Sequence, residues 1–158
     1  MTEADILLAL QEVTDPEIPT ISVVDLGIVT SVSVIDNVIR VSITPTFVGC
    51  PAIDIMKRDV EQALSKLGAT EVHVDVNYDI PWSTNRVSER GRAALLKHGL
   101  APPEPYIVSF ELDVLNDTAC PFCGSRNTTL KSPFGPTLCR SLHYCNKCLQ
   151  AFEGFKPL

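Results

Sequence analysis

The chain has 158 residues and a formal net charge of -6, with 45% hydrophobic and 20% charged side chains; this is the composition of an ordinary globular protein. Its length allows one medium-sized domain and a small module, and no apolar run approaches the roughly eighteen residues of a membrane span. The acidic first residues carry neither a basic n-region nor a cleavage site. We therefore expect a cytoplasmic protein whose six cysteines are available to metals rather than to disulfides.

The charge is unevenly distributed along the chain. Residues 118–158 carry five basic side chains and one acidic side chain, whereas the preceding residues carry eight basic and eighteen acidic ones. An acidic body with a weakly basic tail does not suit nucleic acid, because affinity for a duplex comes from many phosphate contacts. We expect neither nucleic acid nor a membrane as a partner.

The first elements predicted are a helix and a hairpin. Residues 2–13 carry apolar side chains at a helical spacing, and Thr2 and Asp5 are placed to form a capping box. Segments 29–35 and 38–44 alternate apolar and polar residues around an Asp-Asn pair, which predicts two strands joined by a tight turn.

A second helix is predicted from Pro51, which suits the first helical position, to about Leu67, with Cys50 as its N-cap. A strand over residues 71–78 follows, and the order strand, helix, strand predicts a parallel crossover. A third helix is predicted from Ser88 to His98, with its end at Gly99. The inward face of the second helix is expected to consist of Ile55, Val60, Ala63, Leu64 and Leu67.

These elements predict an α+β fold, a small mixed β-sheet covered by helices, followed by a C-terminal zinc-ribbon-like module. We expect the body to span residues 1–100 and the ribbon module to span residues 118–158. Between them, residues 101–117 contain a proline-rich break and an apolar segment, Tyr106 to Leu115, which predicts a linker strand.

The tail carries two CxxC pairs, Cys120 with Cys123 and Cys145 with Cys148, separated by twenty-one residues. Two short knuckles can bring four thiolates to the corners of a tetrahedron, the geometry of a closed structural Zn²⁺ site. The segment is too short to bury an adequate apolar core, so a metal is physically needed there. Iron or an iron–sulfur cluster held by the same thiolates is the alternative.

Cys139 and His143 lie near the second pair in the sequence and are candidate extra ligands. The two CxxC pairs already complete a tetrahedron, which argues against either side chain as a direct ligand.

Cys50 is the second candidate site. A thiol at the start of a helix feels the positive end of the helix dipole and nearby unpaired N–H groups, and both favour the thiolate. It is therefore a candidate nucleophile or metal ligand. The alternative is a buried cysteine that only fills space.

Two acidic turns, residues 15–17 and 25–27, are candidates to lie near this cysteine, as is Thr46 in the loop that leads to it. Ordinary loop and cap signals are an equally good explanation of both turns. Carboxylates beside a thiolate disfavour its charge, so such a set suits metal binding better than covalent catalysis. Trp82, after the third strand, is more often a core residue than a ligand-stacking one. The sequence contains no glycine-rich phosphate loop, GxSxG, HExxH or Rossmann motif.

Three segments together resemble a known family: DPEIPTISVVDLGIV at 15–29, TPTFVGCPA at 44–52 and DIPW at 79–82. They resemble the iron–sulfur assembly domain of SufT-like proteins. Followed by the CPFC and CNKC pairs, nearly the whole chain is similar to the PaaD family, accessory subunits of the phenylacetyl-CoA epoxygenase of aerobic phenylacetate breakdown. By this resemblance, the residues that handle iron or a cluster would be Asp15, Glu17, Asp25, Thr46 and Cys50, with Cys139 belonging to the tail pattern.

The resemblance implies an assembly factor more than an enzyme, with Zn²⁺ in the tail and a transient iron or iron–sulfur cargo at Cys50. The expected partners are the epoxygenase components, either the reductase, with its cluster and flavin, or the di-iron oxygenase. A homodimer bridged at Cys50 would supply a second thiolate. The alternative is a non-catalytic scaffold that docks through its ribbon. A catalytic di-iron component is disfavoured because the chain lacks paired carboxylate–histidine helices.

Overall fold

The computed structural model describes residues 1–103 and 115–156, and the chain divides into two compact units, Met1–Trp82 and Ser83–Leu158. The linker strand predicted from Tyr106 lies almost wholly outside the described residues. The domain limits at residues 100 and 118 stay predictions. None of the helices in the described ranges is long and apolar enough to cross a membrane.

The first unit opens with helix α1, Glu3–Leu10, and the predicted capping box is confirmed. The amide of Thr2 donates to Asp5 Oδ2 at 2.7 Å, and the amide of Asp5 donates to Thr2 Oγ1 at 3.3 Å. The bond from the Thr2 amide lowers the pKa of Asp5, because it favours the carboxylate. The helix ends at Leu10, three residues before the predicted end.

The predicted hairpin is confirmed as β1, Val29–Ile35, and β2, Val38–Ile43, which pair antiparallel. Its turn residues, Asp36 and Asn37, have φ angles of 50° and 63°. Both lie in the left-handed region, which the tight hairpin turn requires and which short polar side chains tolerate. Strand β3, Glu71–Val76, pairs parallel with β2, so the crossover is confirmed and the sheet order is β1-β2-β3.

Helix α2, Ile53–Ser65, connects β2 to β3. Ile55 is 39% exposed, so the prediction that it faces inward is wrong. It lies two residues from Ile53, about 200° around a helix of 3.6 residues per turn, and therefore away from the buried stripe. The stripe recurs every three or four residues, at Ile53, Met56, Val60 and Leu64.

The second unit begins with a short 3₁₀ turn, Thr84–Arg86, and helix α3, Glu89–His98. The predicted ends of α3 are confirmed: Ser88 Oγ accepts from the amide of Gly91 at 2.9 Å, and Gly99 adopts a φ of 86°. Four strands follow and form one sheet in the order β4-β7-β6-β5. Their bounds are Leu100–Ala101 for β4, Thr128–Ser132 for β5, Arg140–Cys145 for β6 and Ala151–Phe155 for β7.

The second unit has a small buried cluster built on sulfur. Ala101 and Phe152 pack with Cys120 and Cys145, and Cys148 lies against them. Three of the four paired cysteines thus contribute to this apolar cluster. The fold is a mixed α+β structure with a C-terminal ribbon, as the sequence predicts.

The two faces of α2 allow a direct stability test. Truncating the fully buried Leu64 to Ala should lower the free energy of unfolding by about 2–5 kcal/mol, because it removes buried methyl groups and leaves a cavity. Ile55→Ala, on the exposed face of the same helix, should cost under about 1 kcal/mol. Urea denaturation monitored by circular dichroism measures both. Equal losses would contradict the assignment of the helix faces.

Candidate metal centre and the loops around Cys50

The two CxxC pairs adopt the same backbone turn. The carbonyl of Cys120 accepts from the amide of Gly124 at 2.8 Å, and the carbonyl of Cys145 accepts from the amide of Leu149 at 3.0 Å. The amide of each first cysteine donates to the carbonyl five residues later, at 2.9 and 2.8 Å. Gly124 and Leu149 both have a positive φ, 70° and 60°. The ribbon is therefore two copies of one knuckle that face each other.

The facing knuckles bring four sulfur atoms together. Sγ of Cys120 lies 3.7 Å from Sγ of Cys148, Sγ of Cys123 lies 3.6 Å from Sγ of Cys145, and all four lie within 4.8 Å of one another. Four thiolates about 2.3 Å from one Zn²⁺ stand about 3.8 Å apart at the corners of a tetrahedron. A multi-iron cluster places its thiolates on different iron atoms and spreads them further. The donor set therefore fits one tetrahedral metal ion.

Hydrogen bonding and burial shift the pKa values of two of these thiols in opposite directions. The amide of Cys148 donates to Cys145 Sγ at 3.5 Å, and this bond is the main reason that the pKa of Cys145 falls to about 6. Burial raises the pKa of Cys148 to about 12. A metal ion needs all four sulfurs as thiolates, so loading the site releases the proton that Cys148 otherwise keeps.

Cys139 and His143 lie elsewhere in the ribbon. In the described ranges, Cys120, Cys123, Cys145 and Cys148 are the one set of three or more ligand residues close enough to hold a metal. Sγ of Cys139 instead lies 3.1 Å from a threonine hydroxyl, and the His143 ring stacks on a phenylalanine with its Nε2 2.8 Å from a serine hydroxyl. Burial lowers the pKa of His143. Cys139 as an extra ligand stays a prediction.

Three loops of the first unit are tied together by hydrogen bonds. Thr44 donates through its amide to the carbonyl of Ile28 at 2.9 Å and through its hydroxyl to the carbonyl of Ile80 at 2.9 Å. Trp82 Nε1 donates to the carbonyl of Leu26 at 3.0 Å, and the indole is buried, as expected of a core residue. The three segments that carry the family resemblance therefore meet at one end of the sheet.

The aspartate carboxylates of the acidic turns make hydrogen bonds to residues of their own turns. Oδ1 of Asp15 accepts from the amides of Glu17 and Ile18 at 2.8 and 2.9 Å. Oδ2 of Asp25 lies 2.9 Å from the hydroxyl of Ser22. Both aspartates are buried and Glu17 is exposed. These bonds are those of ordinary loop caps, and the part of these carboxylates in handling iron stays a prediction.

The prediction that Cys50 caps a helix is wrong. Helix α2 begins at Ile53, and its cap, Ala52, makes no side-chain hydrogen bond. The amide of Cys50 donates to the carbonyl of Phe47 at 3.2 Å, and its carbonyl accepts from the amide of Ile53 at 3.3 Å. Two successive turns therefore come before the helix, and the half-buried Cys50 belongs to them.

The sequence did not predict the exposed apolar surface beside this cysteine. Val48, two residues before Cys50 in the chain, is 83% exposed. The signal available in the sequence was an apolar residue directly before Gly49, whose φ of 86° makes the turn. The loop thus presents Cys50 with apolar rather than charged neighbours in the chain.

Comparison with known proteins divides the chain in the same way. Residues 3–81 match the family of iron–sulfur cluster assembly proteins, and residues 109–156 match the PaaD zinc β-ribbon domain. An Escherichia coli K12 protein, provisionally named as one component of a 1,2-phenylacetyl-CoA epoxidase, is 34% identical over 152 residues, 96% of this chain and 91% of that protein. An Fe-S protein maturation auxiliary factor of Porphyromonas gingivalis is 35% identical over 96 residues, 60% of this chain and 90% of that protein. The crystal structure of a DUF59 domain from Bacillus anthracis superposes with a TM-score of 0.55 at 32% identity, covering 59% of this chain and 90% of that one.

The fold and the sulfur site together define an iron–sulfur cluster assembly domain joined to a metal-binding ribbon. The chain belongs to the PaaD family.

The repeated knuckle predicts two substitutions of opposite sign. Gly124→Ala should lower the free energy of unfolding of the metal-loaded protein by about 1 kcal/mol, because a Cβ is strained at positive φ. Leu149→Gly should raise it by up to about 1 kcal/mol, because the exposed leucine is already in that strained region. Chemical denaturation of both variants, with Leu149→Ala as the control, measures the difference. A loss of stability in Leu149→Gly as large as that in Gly124→Ala would contradict the knuckle geometry.

The sulfur site also predicts the metal content. The wild-type protein should bind one metal ion per chain, and Cys120→Ser should lose it, because a hydroxyl is a poor replacement for a thiolate. Cys139→Ser removes another buried ribbon thiol and should keep the full content. Elemental analysis of purified proteins tests this, and a Cys139→Ser variant without metal would show that the fifth cysteine is a ligand.

Proposed function

We propose that this chain is an accessory maturation factor for a multicomponent phenylacetyl-CoA epoxygenase, helping to insert iron or an iron–sulfur cluster into the reductase or the oxygenase component. The observation that carries the proposal is its two-part similarity. Body and ribbon together are similar to a protein named as an epoxidase component, whereas the body by itself is similar to Fe-S protein maturation factors.

Cys50 is the proposed contact with the cargo. Its turn lies at the end of the sheet where the three family segments meet, and the thiol is half-buried rather than enclosed. One thiolate per chain makes a weak site for iron, which suits a carrier because the cargo must also leave. A second copy of the chain would add another thiolate, and Thr46, Asp15, Glu17 and Asp25 are the proposed auxiliary groups.

The ribbon cysteines have a different proposed role, the binding of a resident Zn²⁺. Cys120, Cys123, Cys145 and Cys148 would hold the ion with no open coordination position, so it would supply shape rather than chemistry. The place of three of them in the apolar cluster supports this role, since losing the ion would leave unliganded sulfurs, among them the readily ionised Cys145, inside the ribbon.

Docking through the ribbon, without metal transfer, is the second candidate function. Its supporting observation is a set of exposed apolar side chains on the ribbon, which commonly mark contact surfaces. They are 53–68% exposed: Phe122, Phe134, Leu138 and Leu149.

Substitution of the proposed cargo ligand separates the two functions. Cys50→Ser, co-produced with the epoxygenase reductase and oxygenase, should leave the ribbon metal in place. The iron content of the client should fall to the level seen without this chain, because the carrier has lost its thiolate. The measurements are client iron and visible cluster absorbance, with Cys139→Ser as the matched control.

A fully loaded client in the presence of Cys50→Ser would contradict the maturation proposal. If Phe134→Ser keeps its metal but abolishes complex formation and client activity, the docking function is supported in place of the maturation function.

A further inference from the structure

A second cysteine site lies at the far end of the ribbon, independent of the proposed function. In the β6–β7 ladder Arg140 pairs with Phe155. One step beyond, the amide of Lys156 donates to the carbonyl of Cys139 at 2.9 Å. Residues opposite each other on antiparallel strands share a face, with their Cβ atoms about 5 Å apart. The side chains of Cys139 and Lys156 are therefore neighbours.

Both side chains are buried. Cys139 is 6% exposed and Lys156 is 7% exposed. The Lys156 ammonium lies 5.0 Å from the centre of the Phe134 ring, and none of the ion pairs among the described residues includes it. A covered ammonium without a carboxylate is costly unless another anion faces it. Among the described residues, the Cys139 thiol is a neighbouring group that can become an anion. The pKa of Lys156 is lowered overall, because burial outweighs the opposing effect of a charge on Cys139.

A fixed hydroxyl also points to the same sulfur. Thr137 Oγ1 lies 3.1 Å from Cys139 Sγ. The turn that presents it is closed by two backbone bonds, from Arg140 to the carbonyl of Thr137 at 3.1 Å and from Gly135 to the carbonyl of Arg140 at 2.8 Å. A Cβ at Gly135 would lie 3.0 Å from Arg140 Cβ, so the close approach favours glycine. The hydroxyl is therefore in place beside the sulfur before the thiol ionises, and it can donate once the thiolate forms.

We propose that Cys139 is held as a thiolate by Lys156 and Thr137, and that it is a peroxide-reactive site separate from the metal centre. An ammonium and a hydroxyl donor beside a thiol favour the nucleophilic thiolate. The sulfur attacks one oxygen of hydrogen peroxide, and an S–O bond forms as the O–O bond breaks. Sulfur loses two electrons to the peroxide, and hydroxide leaves and takes a proton from solvent to become water. The product is a sulfenic acid, which a thiol reductant reverses.

The burial of Cys139 makes this reactivity selective by size. Hydrogen peroxide is little larger than water, so it needs a much smaller opening to reach Cys139, a residue that is 6% exposed. A bulky maleimide cannot approach it without opening the turn. Cys50, half-buried in its loop, should show the opposite preference.

The test uses the full-length, metal-loaded chain at pH 7. Brief treatment with hydrogen peroxide, followed by mass spectrometry of the tryptic peptides, should place one added oxygen on Cys139, and Cys139→Ser should lack it. Lys156→Met keeps the buried stem but removes the charge. Its oxidation should be about tenfold slower, because without the ammonium only about a tenth of the thiol would be ionised at pH 7. Lys131→Met is the matched control, since its ammonium lies over the Tyr144 ring and should leave the rate unchanged.

The protonation state is measured directly in the wild-type protein, so the result does not depend on a variant that folds. The ¹³Cβ shift of labelled Cys139 at pH 7 should be that of a thiolate. A thiol shift, or an oxidation rate in folded Lys156→Met equal to that of wild type, would overturn the proposal. Faster labelling of Cys139 than of Cys50 by a bulky maleimide would overturn the size selectivity.

Discussion

The approach of four sulfur atoms to within 4.8 Å of one another is the constraint on which the ribbon depends. A module with so few buried apolar residues cannot offset the entropy of ordering its chain. Its two knuckles therefore combine functions that larger domains separate. Three of the four candidate ligand cysteines also belong, with Ala101 and Phe152, to the apolar cluster. We therefore expect metal binding and folding of the ribbon to be coupled.

The body is built on a different principle. Its sheet and helices bury a conventional apolar core, and hydrogen bonds from Thr44 and Trp82 fix the loops at one end of the sheet. A core that needs no metal leaves a loop cysteine open to transient chemistry. This physical difference underlies the proposed division between a resident ion in the ribbon and a passing cargo at Cys50.

The acidic turns match the family motif, and they also have an ordinary structural explanation. Asp15 and Asp25 belong to the family motif, yet each carboxylate accepts bonds or lies against a hydroxyl within its own turn. Such bonds shape the loops that meet beside Thr44, so these residues can matter to the site without touching a metal. Cys139 differs from these aspartates. It lies close to the second CxxC pair in the sequence, but its neighbours in the fold are Thr137 and Lys156.

The sequence by itself determined what local chemistry dictates. The Thr2–Asp5 capping box, the left-handed Asp36–Asn37 turn and the Gly99 helix end each depend on a few adjacent residues, and the CxxC spacing identified the four cysteines that the fold brings together. Only the tertiary structure decided the rest. The start of α2 at Ile53, the exposure of Ile55 and the pairing of Cys139 with Lys156 depend on which segments pack together. The buried face of a helix and the partner of a strand depend on segments distant in the sequence as well as on the local pattern.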